Sequence, residues 1–370
     1  MITPEDYQIV LKLESNPLMS YSDLAKDLGV SWPTAKKRIN DLKSRGVIRT
    51  PVAIYNFRTL GLQRLAVIWS LKTTDDLLLM EKFCDIHPYT HYRVRGYGNG
   101  YILFAQFDVP QKTIPLMKEL VTALEKDYSN TVILLQSSGY RVESFPNLNY
   151  YDITQDIWYF DWTEWLDLFN DQPETLPSQD HYETIDLTEF KPIDFEILRE
   201  VTKNPGIKQV DLMHQFNLTR TNAHLKYNSV FKNLISSVRA RFDRILFDLV
   251  NTRVFWIPNP NEKNTNKLFN LIKHSPPPFR FGLDILQPEG CLFWGGDLPN
   301  YHEHQLAFSI WKLFQTFNTY TLDISVNTSM IYWFYPNNFD FGTHYWKTDR
   351  EYVVEKPLEE LHKVKKKSNS

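Results

Sequence analysis

Placing Pro4 over Pro192 and Asp6 over Asp194 brings two stretches of the chain into register at an offset of 188 residues, without a gap, as far as Val47 over Ile235. Pro4, Asp6, Ile9, Asn16, Pro17, Asp23, Leu24, Ala35 and Asn40 recur as Pro192, Asp194, Ile197, Asn204, Pro205, Asp211, Leu212, Ala223 and Asn228. The pairs Tyr7/Phe195, Val10/Leu198, Leu28/Phe216, Val30/Leu218, Ile39/Tyr227 and Leu42/Val230 keep apolar character at helix spacing. Such a chain is expected to carry two copies of one small helical module, and so two sites.

Within the first copy a helix is expected from Pro4 to Ser15, stopped by Asn16-Pro17. Ser20 with Asp23 three residues later opens a short second helix. Gly29 supplies a turn whose positive φ is cheap for glycine and tolerable for Asn217, its counterpart. Ser31 caps a third helix with Pro33 in its first turn, ending at Arg45-Gly46. Helix, helix, tight turn, helix is a helix-turn-helix unit, and Val47–Phe57 is expected to form the short strands and loop of a wing, with Pro51 limiting its pairing.

Beyond the wing, Leu65, Val67, Trp69 and Leu71 alternate as in a strand, followed by a helix near Asp75–Ile86, strands near Tyr92–Val94 and Tyr101–Phe107, a helix near Thr113–Asp127 and a strand at Thr131–Leu135. This order is ferredoxin-like, βαββαβ. It recurs loosely as Arg253–Ile257, Asn264–Lys273, Phe279–Leu283, Gly290–Trp294, His302–Phe317 and Thr321–Ser325. The expected fold is α+β, two winged helix-turn-helix domains each followed by a ferredoxin-like domain. The boundaries read 1–60 winged helix-turn-helix, 61–141 ferredoxin-like effector and oligomerisation domain, 142–190 acidic aromatic linker with a helix, 191–250 second winged helix-turn-helix, 251–330 second ferredoxin-like domain, and 331–370 C-terminal extension with a basic tail.

Net charge is −3, but its distribution matters more: residues 1–141 carry +4, residues 142–190 carry −12 without a single lysine or arginine, and residues 191–370 carry +5. Both repeat-bearing parts are mildly basic. In the acidic stretch Trp158, Trp162, Trp165 and Phe169 recur near helix period, which reads as one amphipathic helix packed by its aromatic stripe on a neighbouring domain; the alternatives are an acidic solvated strut, or a segment whose charge mimics DNA and competes for a basic face. Cys84 and Cys291 stand far apart without metal-ligand spacing, so no disulfide, metal site or cofactor is expected. No signal-like or membrane-spanning run is present, and a cytoplasmic protein is expected. Lys363–Lys367 reads as a disordered basic tail.

In a helix-turn-helix the third helix enters the major groove while its flanks meet phosphates. With Ala35, Ile39 and Leu42 inward, the DNA-binding residues are read as Ser31, Trp32, Thr34, Lys36, Lys37, Arg38, Arg45 and Arg49. The second copy offers Thr219, Arg220, Asn222, His224 and Lys226, with Arg239, Arg241 and Arg244 as a basic wing strand. Arg220 suits guanine and Asn222 suits adenine. Because Lys37 and Arg45 become Leu225 and Asn233, a purely structural second copy stays open.

Through Asp6-Tyr7-x-Ile9, Asp23-Leu24-Ala25-x-x-Leu28-Gly29-Val30-Ser31, Ala35-Lys36-Lys37-Arg38-Ile39-x-x-Leu42, Gly46-Val47-Ile48-Arg49, Leu60-Gly61-Leu62 and Tyr92-Arg93-Val94-x-Gly96, the chain resembles the Lrp/AsnC family of feast-or-famine transcription regulators. The resemblance implies a winged-helix DNA-binding domain joined to an effector-sensing, oligomerising domain. It also implies a small-molecule effector such as an amino acid near Gly96, Gly98, Asn99 and Gly100, although Gly98-Asn99-Gly100 equally suits a bare hairpin turn. The expected partner is double-stranded DNA, with assembly as a homodimer or an intramolecular pseudo-dimer. The function read is a sequence-specific DNA-binding transcriptional regulator with two unlike recognition helices, not an enzyme. Two alternatives stand beside it. One is a protein-interaction scaffold built on winged helices. The other is a tetrapyrrole enzyme, because siroheme decarboxylases are similar to this family in domain plan, and Thr90-His91-Tyr92-x-x-Arg95 resembles their Thr-His-…-Tyr-Arg stretch, with His91, Tyr92 and Arg95 placed to hold tetrapyrrole carboxylates.

Overall fold

The structure, a computed structural model, describes residues 2–178, 185–287, 290–325 and 328–368. Thr3 caps helix α1 (Pro4–Ser15), its Oγ1 accepting the Asp6 amide at 3.2 Å. Helix α2 (Tyr21–Asp27) starts at Ser20, whose Oγ accepts the Asp23 amide at 3.1 Å and donates to the Asp23 carboxylate at 2.7 Å. Gly29 then turns the chain at φ +64° into α3 (Trp32–Ser44), which buries Ala35, Ile39 and Leu42. Among the described residues before Leu62, the strand that follows, β1 (Ile48–Tyr55), is the only one, so the expected wing of several short strands does not form locally.

The first half continues through β2 (Leu62–Leu71), α4 (Thr74–Ile86), β3 (Thr90–Gly98), β4 (Gly100–Pro110), α5 (Ile114–Tyr128) and β5 (Ser129–Ser144). A short segment with β6 (Tyr151–Asp152), β7 (Ile157–Trp158) and α6 (Trp162–Asn170) closes it. In the second half α7 (Pro192–Lys203), α8 (Gln209–Phe216) and α9 (Arg220–Leu234) keep the order of α1–α3, and Asn217 turns at φ 51° where Gly29 does. The chain then runs through β8 (Ile235–Phe242), β9 (Asn251–Pro258), α10 (Glu262–His274), β10 (Arg280–Gln287), β11 (Gly290–Leu298), α11 (Asn300–Phe314), β12 (Asn318–Asp323), β13 (Ser329–Ile331), β14 (Phe339–Asp340), β15 (Tyr345–Trp346) and α12 (Lys356–Ser368).

Eight strands close into a ring in the order β12-β9-β11-β10-β5-β2-β4-β3, β3 pairing back onto β12, while β13 adds to the same edge of β3. Two seams, β5–β10 and β3–β12, therefore weld the halves together. Alternation sorts the side chains: on β2, Ala66 and Ile68 face the ring interior with Val94, Phe104, Val254 and Leu322, whereas Leu65, Val67 and Trp69 face the outer helices. The third junction is a two-stranded ribbon of β1 with β8, antiparallel, with Ile48 opposite Phe242 and Arg49 opposite Arg241, and an irregularity at Pro51 where the amide is missing. The wing is thus shared between the halves.

Helices and tail are exchanged across this arrangement. Trp158 of the first half donates its indole N–H to the Phe247 carbonyl of the second at 2.7 Å, and Trp346 of the second donates to Leu60 of the first at 2.8 Å. Helix α6 lies on α10 and α11, where Trp165 donates to the Ser275 carbonyl at 2.9 Å and Trp162 to His302 Nδ1 at 2.9 Å. The segment 351–355 lies on α4 and α5 in the same way. His87, which burial lowers to about 3, is neutral there: Nε2–H donates to Val353 at 3.1 Å and Nδ1 accepts the Tyr89 amide.

These contacts revise two expectations. Residues 151–158 and 339–346 are related by the same offset of 188, with Asp152/Asp340 and Trp158/Trp346 identical and Asp156 and His344 both at positive φ. The acidic stretch and the C-terminal extension thus open alike, and only Trp162, Trp165 and Phe169 lie on the helix, since Trp158 sits in β7. The basic tail is helical as α12, with Leu361 fully buried and the Lys365 ammonium 4.6 Å from the Tyr128 ring, because α12 covers α4.

Candidate nucleic-acid interface and the charged layer beneath it

The face of α3 opposite Ala35, Ile39 and Leu42 is open. Trp32 is 47% exposed, and Ser31, Thr34, Lys36 and Lys37 are exposed beside it. The Ser31 Oγ is committed to capping, 3.4 Å from the Thr34 amide and 2.8 Å from the Thr34 hydroxyl. Trp32 meets Tyr21 edge-on, and the Lys36 ammonium sits 4.8 Å from the Trp32 ring, which fixes an aromatic and a cation side by side. Lys37 has no carboxylate partner among the described residues. Arg38 is half-buried, and Arg45 reaches Asp41 at 3.1 Å and Asp6 at 3.5 Å, so Arg45 braces α3 against α1.

On α9, Thr219 caps the helix through the Asn222 amide, and Arg220 and Asn222 are exposed at its N-terminal turn. His224 is held between Gln209 and Asn228, each at 3.0 Å. Lys226 does not point outward as expected: its ammonium lies 2.6 Å from Asp194 of α7, the counterpart of the Arg45–Asp6 contact. The turn before α8 packs near Leu18, so the two three-helix units adjoin at their first turns.

The largest departure concerns the wing cations. Arg49 and Arg241 are exposed and directly opposite each other on the ribbon. Arg239 instead turns inward, 2.6 Å from Glu143 and with its guanidinium 4.4 Å from the Phe145 ring, and Arg244 pairs with Asp297. The reason is alternation: residues two apart on a strand share a face only while the pairing stays regular, and the ribbon shifts register around Pro51 and again at its end. Behind Arg239 lies a layer that sequence reasoning missed altogether. Arg64 grips Asp108 through two bonds of 2.7 Å, Tyr55 donates to the same carboxylate at 2.7 Å, and Arg141 bridges Glu143 and Asp284. Arg64 and Arg141 hold the Asp108 and Glu143 carboxyls below the usual range against the opposing effect of burial, Asp108 at about 2. Burial and then the neighbouring guanidiniums Arg280, Arg141 and Arg64 bring Arg239 down to about 9, despite Glu143. The signal available in the sequence was charge at intervals of two inside apolar strands, as in Arg141-x-Glu143.

The glycine loop serves packing. A Cβ on Gly96 would stand 2.6 Å from the Thr321 carbonyl and one on Gly98 2.7 Å from the Thr319 carbonyl, so both let β3 approach β12, while Asn99 and Gly100, at φ +98°, form the hairpin tip. Pro288 and Glu289 of the second half lie outside the described residues. The residues read for tetrapyrrole carboxylates do not converge: His91 is half-buried against Tyr55 and Asp108 and lowered to about 4 by desolvation and Arg64, Tyr92 stacks on Trp294, and Arg95 is clamped to Glu81 at 2.8 and 2.7 Å.

A family model described as winged helix-turn-helix DNA-binding matches residues 6–49. Curated proteins give no match. Among solved structures, the chain is similar to the siroheme decarboxylase NirDL at 13% identity and a TM-score of 0.55, covering 98% of this chain and 99% of that one. The same enzyme in complex with an iron-uroporphyrin III analogue gives 14% identity, a TM-score of 0.55, and coverage of 97% and 99%. AsnC of E. coli is similar at 22% identity and a TM-score of 0.30, over 37% of this chain and 93% of that one. The expectation that the chain is not an enzyme is therefore corrected, since its full-length fold is one that an enzyme uses. The chain carries an N-terminal winged helix-turn-helix within a mixed α/β fold.

Proposed function

We propose that this protein binds double-stranded DNA through two unlike helical probes in one chain and acts as a transcriptional regulator. The observation that carries the reading is the open face of α3, where Trp32, Thr34, Lys36 and Lys37 stand exposed on a helix anchored by Ala35, Ile39 and Leu42. The exposed Arg220 and Asn222 on α9, and the facing Arg49 and Arg241, supply a second, chemically different reader and a shared basic ridge. In this reading the two halves are copies that pair within one chain, joined by the ribbon and the ring seams. Lys37→Glu combined with Arg38→Glu is expected to abolish specific binding, and Arg220→Ala to relax preference at one half-site by about 1–3 kcal/mol. Anisotropy of labelled duplexes measures both, and unaltered binding by both variants overturns the reading.

A second reading, a tetrapyrrole-processing enzyme, is favoured by the likeness of the whole chain, rather than one domain, to a siroheme decarboxylase. His91, Tyr92 and Arg95 are engaged elsewhere, so in this reading the tetrapyrrole carboxylates are held by other groups. Incubation with siroheme gives a visible absorption band bound to the protein if this holds, and a featureless spectrum removes it.

A further inference from the structure

We propose that the charged layer beneath the β1–β8 ribbon is a binding site for a small oxyanion-bearing ligand, held by Arg239, Arg280 and the Trp294 indole. The layer contains five arginines, Arg64, Arg141, Arg239, Arg244 and Arg280, facing four carboxylates, Asp108, Glu143, Asp284 and Asp297. Each carboxylate already has a guanidinium partner, Glu143 two of them, while Asp284 Oδ1 stays buried without a partner. Arg280 is left without a carboxylate among the described residues and lies flat over the Trp294 ring, 4.7 Å from its centroid.

Two buried donors beside it are also without an acceptor: Arg239 Nε and Trp294 Nε1. A buried donor left unpaired costs about 1–3 kcal/mol, so each marks a position where an acceptor belongs. Position 296 is glycine, and a Cβ there would stand 3.4 Å from Trp294 Nε1 and 3.6 Å from Arg280 Cδ, so the glycine leaves room for a group of about methyl size beside both. A carboxylate or phosphate group matches this donor set in charge and geometry. Because Arg239 belongs to β8, and Arg280 and Trp294 to the ring, the bound anion would tie the ribbon to the barrel.

The test uses the full chain without DNA, titrated at low ionic strength with citrate and, separately, with inorganic pyrophosphate. Tryptophan fluorescence reports occupancy, and amide hydrogen exchange over residues 235–242 reports the ribbon. Saturable binding of either probe with slowed exchange in β8 is expected, citrate alone pointing to carboxylates and pyrophosphate alone to phosphates. Arg280→Gln is expected to weaken binding about tenfold or more, the value of one charge-assisted hydrogen bond. Absence of saturation by both probes, or wild-type affinity in Arg280→Gln, overturns the proposal. If Arg280→Gln fails to fold, unchanged exchange in wild-type β8 under saturating probe overturns it equally. None of these residues belongs to the outward faces of α3 and α9, so failure here leaves the DNA reading untouched.

Discussion

The salt dependence of DNA affinity follows from which cations the fold leaves available. Of the sixteen residues read as DNA contacts, Lys226, Arg239 and Arg244 are tied to carboxylates inside the protein and Arg45 is shared between Asp6 and Asp41. Lys36, Lys37, Arg49, Arg220 and Arg241 remain exposed without a carboxylate partner among the described residues. With Arg220 reading a base edge, each phosphate neutralised by the other four contributes about −0.9 to the slope of log affinity against log salt, giving about −3.6. Between roughly 50 and 200 mM salt the affinity then falls about 150-fold. Replacing Lys36 and Lys37 by glutamine removes two contacts without reversing charge, reducing the slope to about −1.8 and the fall to about 12-fold. Fluorescence anisotropy of a labelled duplex over a salt series measures both slopes. A wild-type slope near zero, or a double variant with the wild-type slope, refutes the assignment of these lysines to phosphates.

The remaining predictions concern the scaffold. Trp346→Phe and Trp158→Phe each leave a buried carbonyl, of Leu60 or Phe247, without its donor. Each should cost about 1–3 kcal/mol in denaturant unfolding, and equal losses are expected if the two contacts are equivalent. Gly98→Ala forces a Cβ to within 2.7 Å of the Thr319 carbonyl and should destabilise the β3–β12 seam by about 1–3 kcal/mol, read from thermal unfolding. Glu14, whose carboxyl accepts the Leu148 amide, is raised by burial to about 7. Its contribution is fully present below the ordinary glutamate range and is lost as pH rises through about 7; Glu14→Gln should flatten that limb of the stability profile. Asp108 has the opposite sign. Held down to about 2, it supports the fold above its unfolded pKa and loses that support as pH falls toward 2, so Asp108→Asn should abolish this acid limb.

Local signals were legible in the sequence because they act over a few residues. Ser20, Ser31, Gly29 and Asn217 do in the structure what their chemistry suggested, and the alternation of Leu65, Val67 and Trp69 marked the strand. The interior layer was not legible, because Arg64 and Arg141 meet their partners only after strands far apart in sequence have paired. The wing failed for the same reason. Arg239 and Arg241 look alike in a row of residues, and only the ribbon register decides that one faces Glu143 and the other solvent. In the acidic stretch the aromatic stripe was the legible signal, since Trp162 and Trp165 of α6 bond to the second half, whereas the solvated-strut alternative weighed its charges alone; Trp158, counted with that stripe, bonds to the second half from a strand instead.

Selection of bound duplexes from a random pool with the full-length protein tests the central claim most directly. Two chemically different helical readers fixed in one chain predict enrichment of a site with two unlike halves on the same face of the duplex, about one helical turn or a multiple apart. Recovery of a perfect palindrome, or of no enriched sequence at all, would contradict the account.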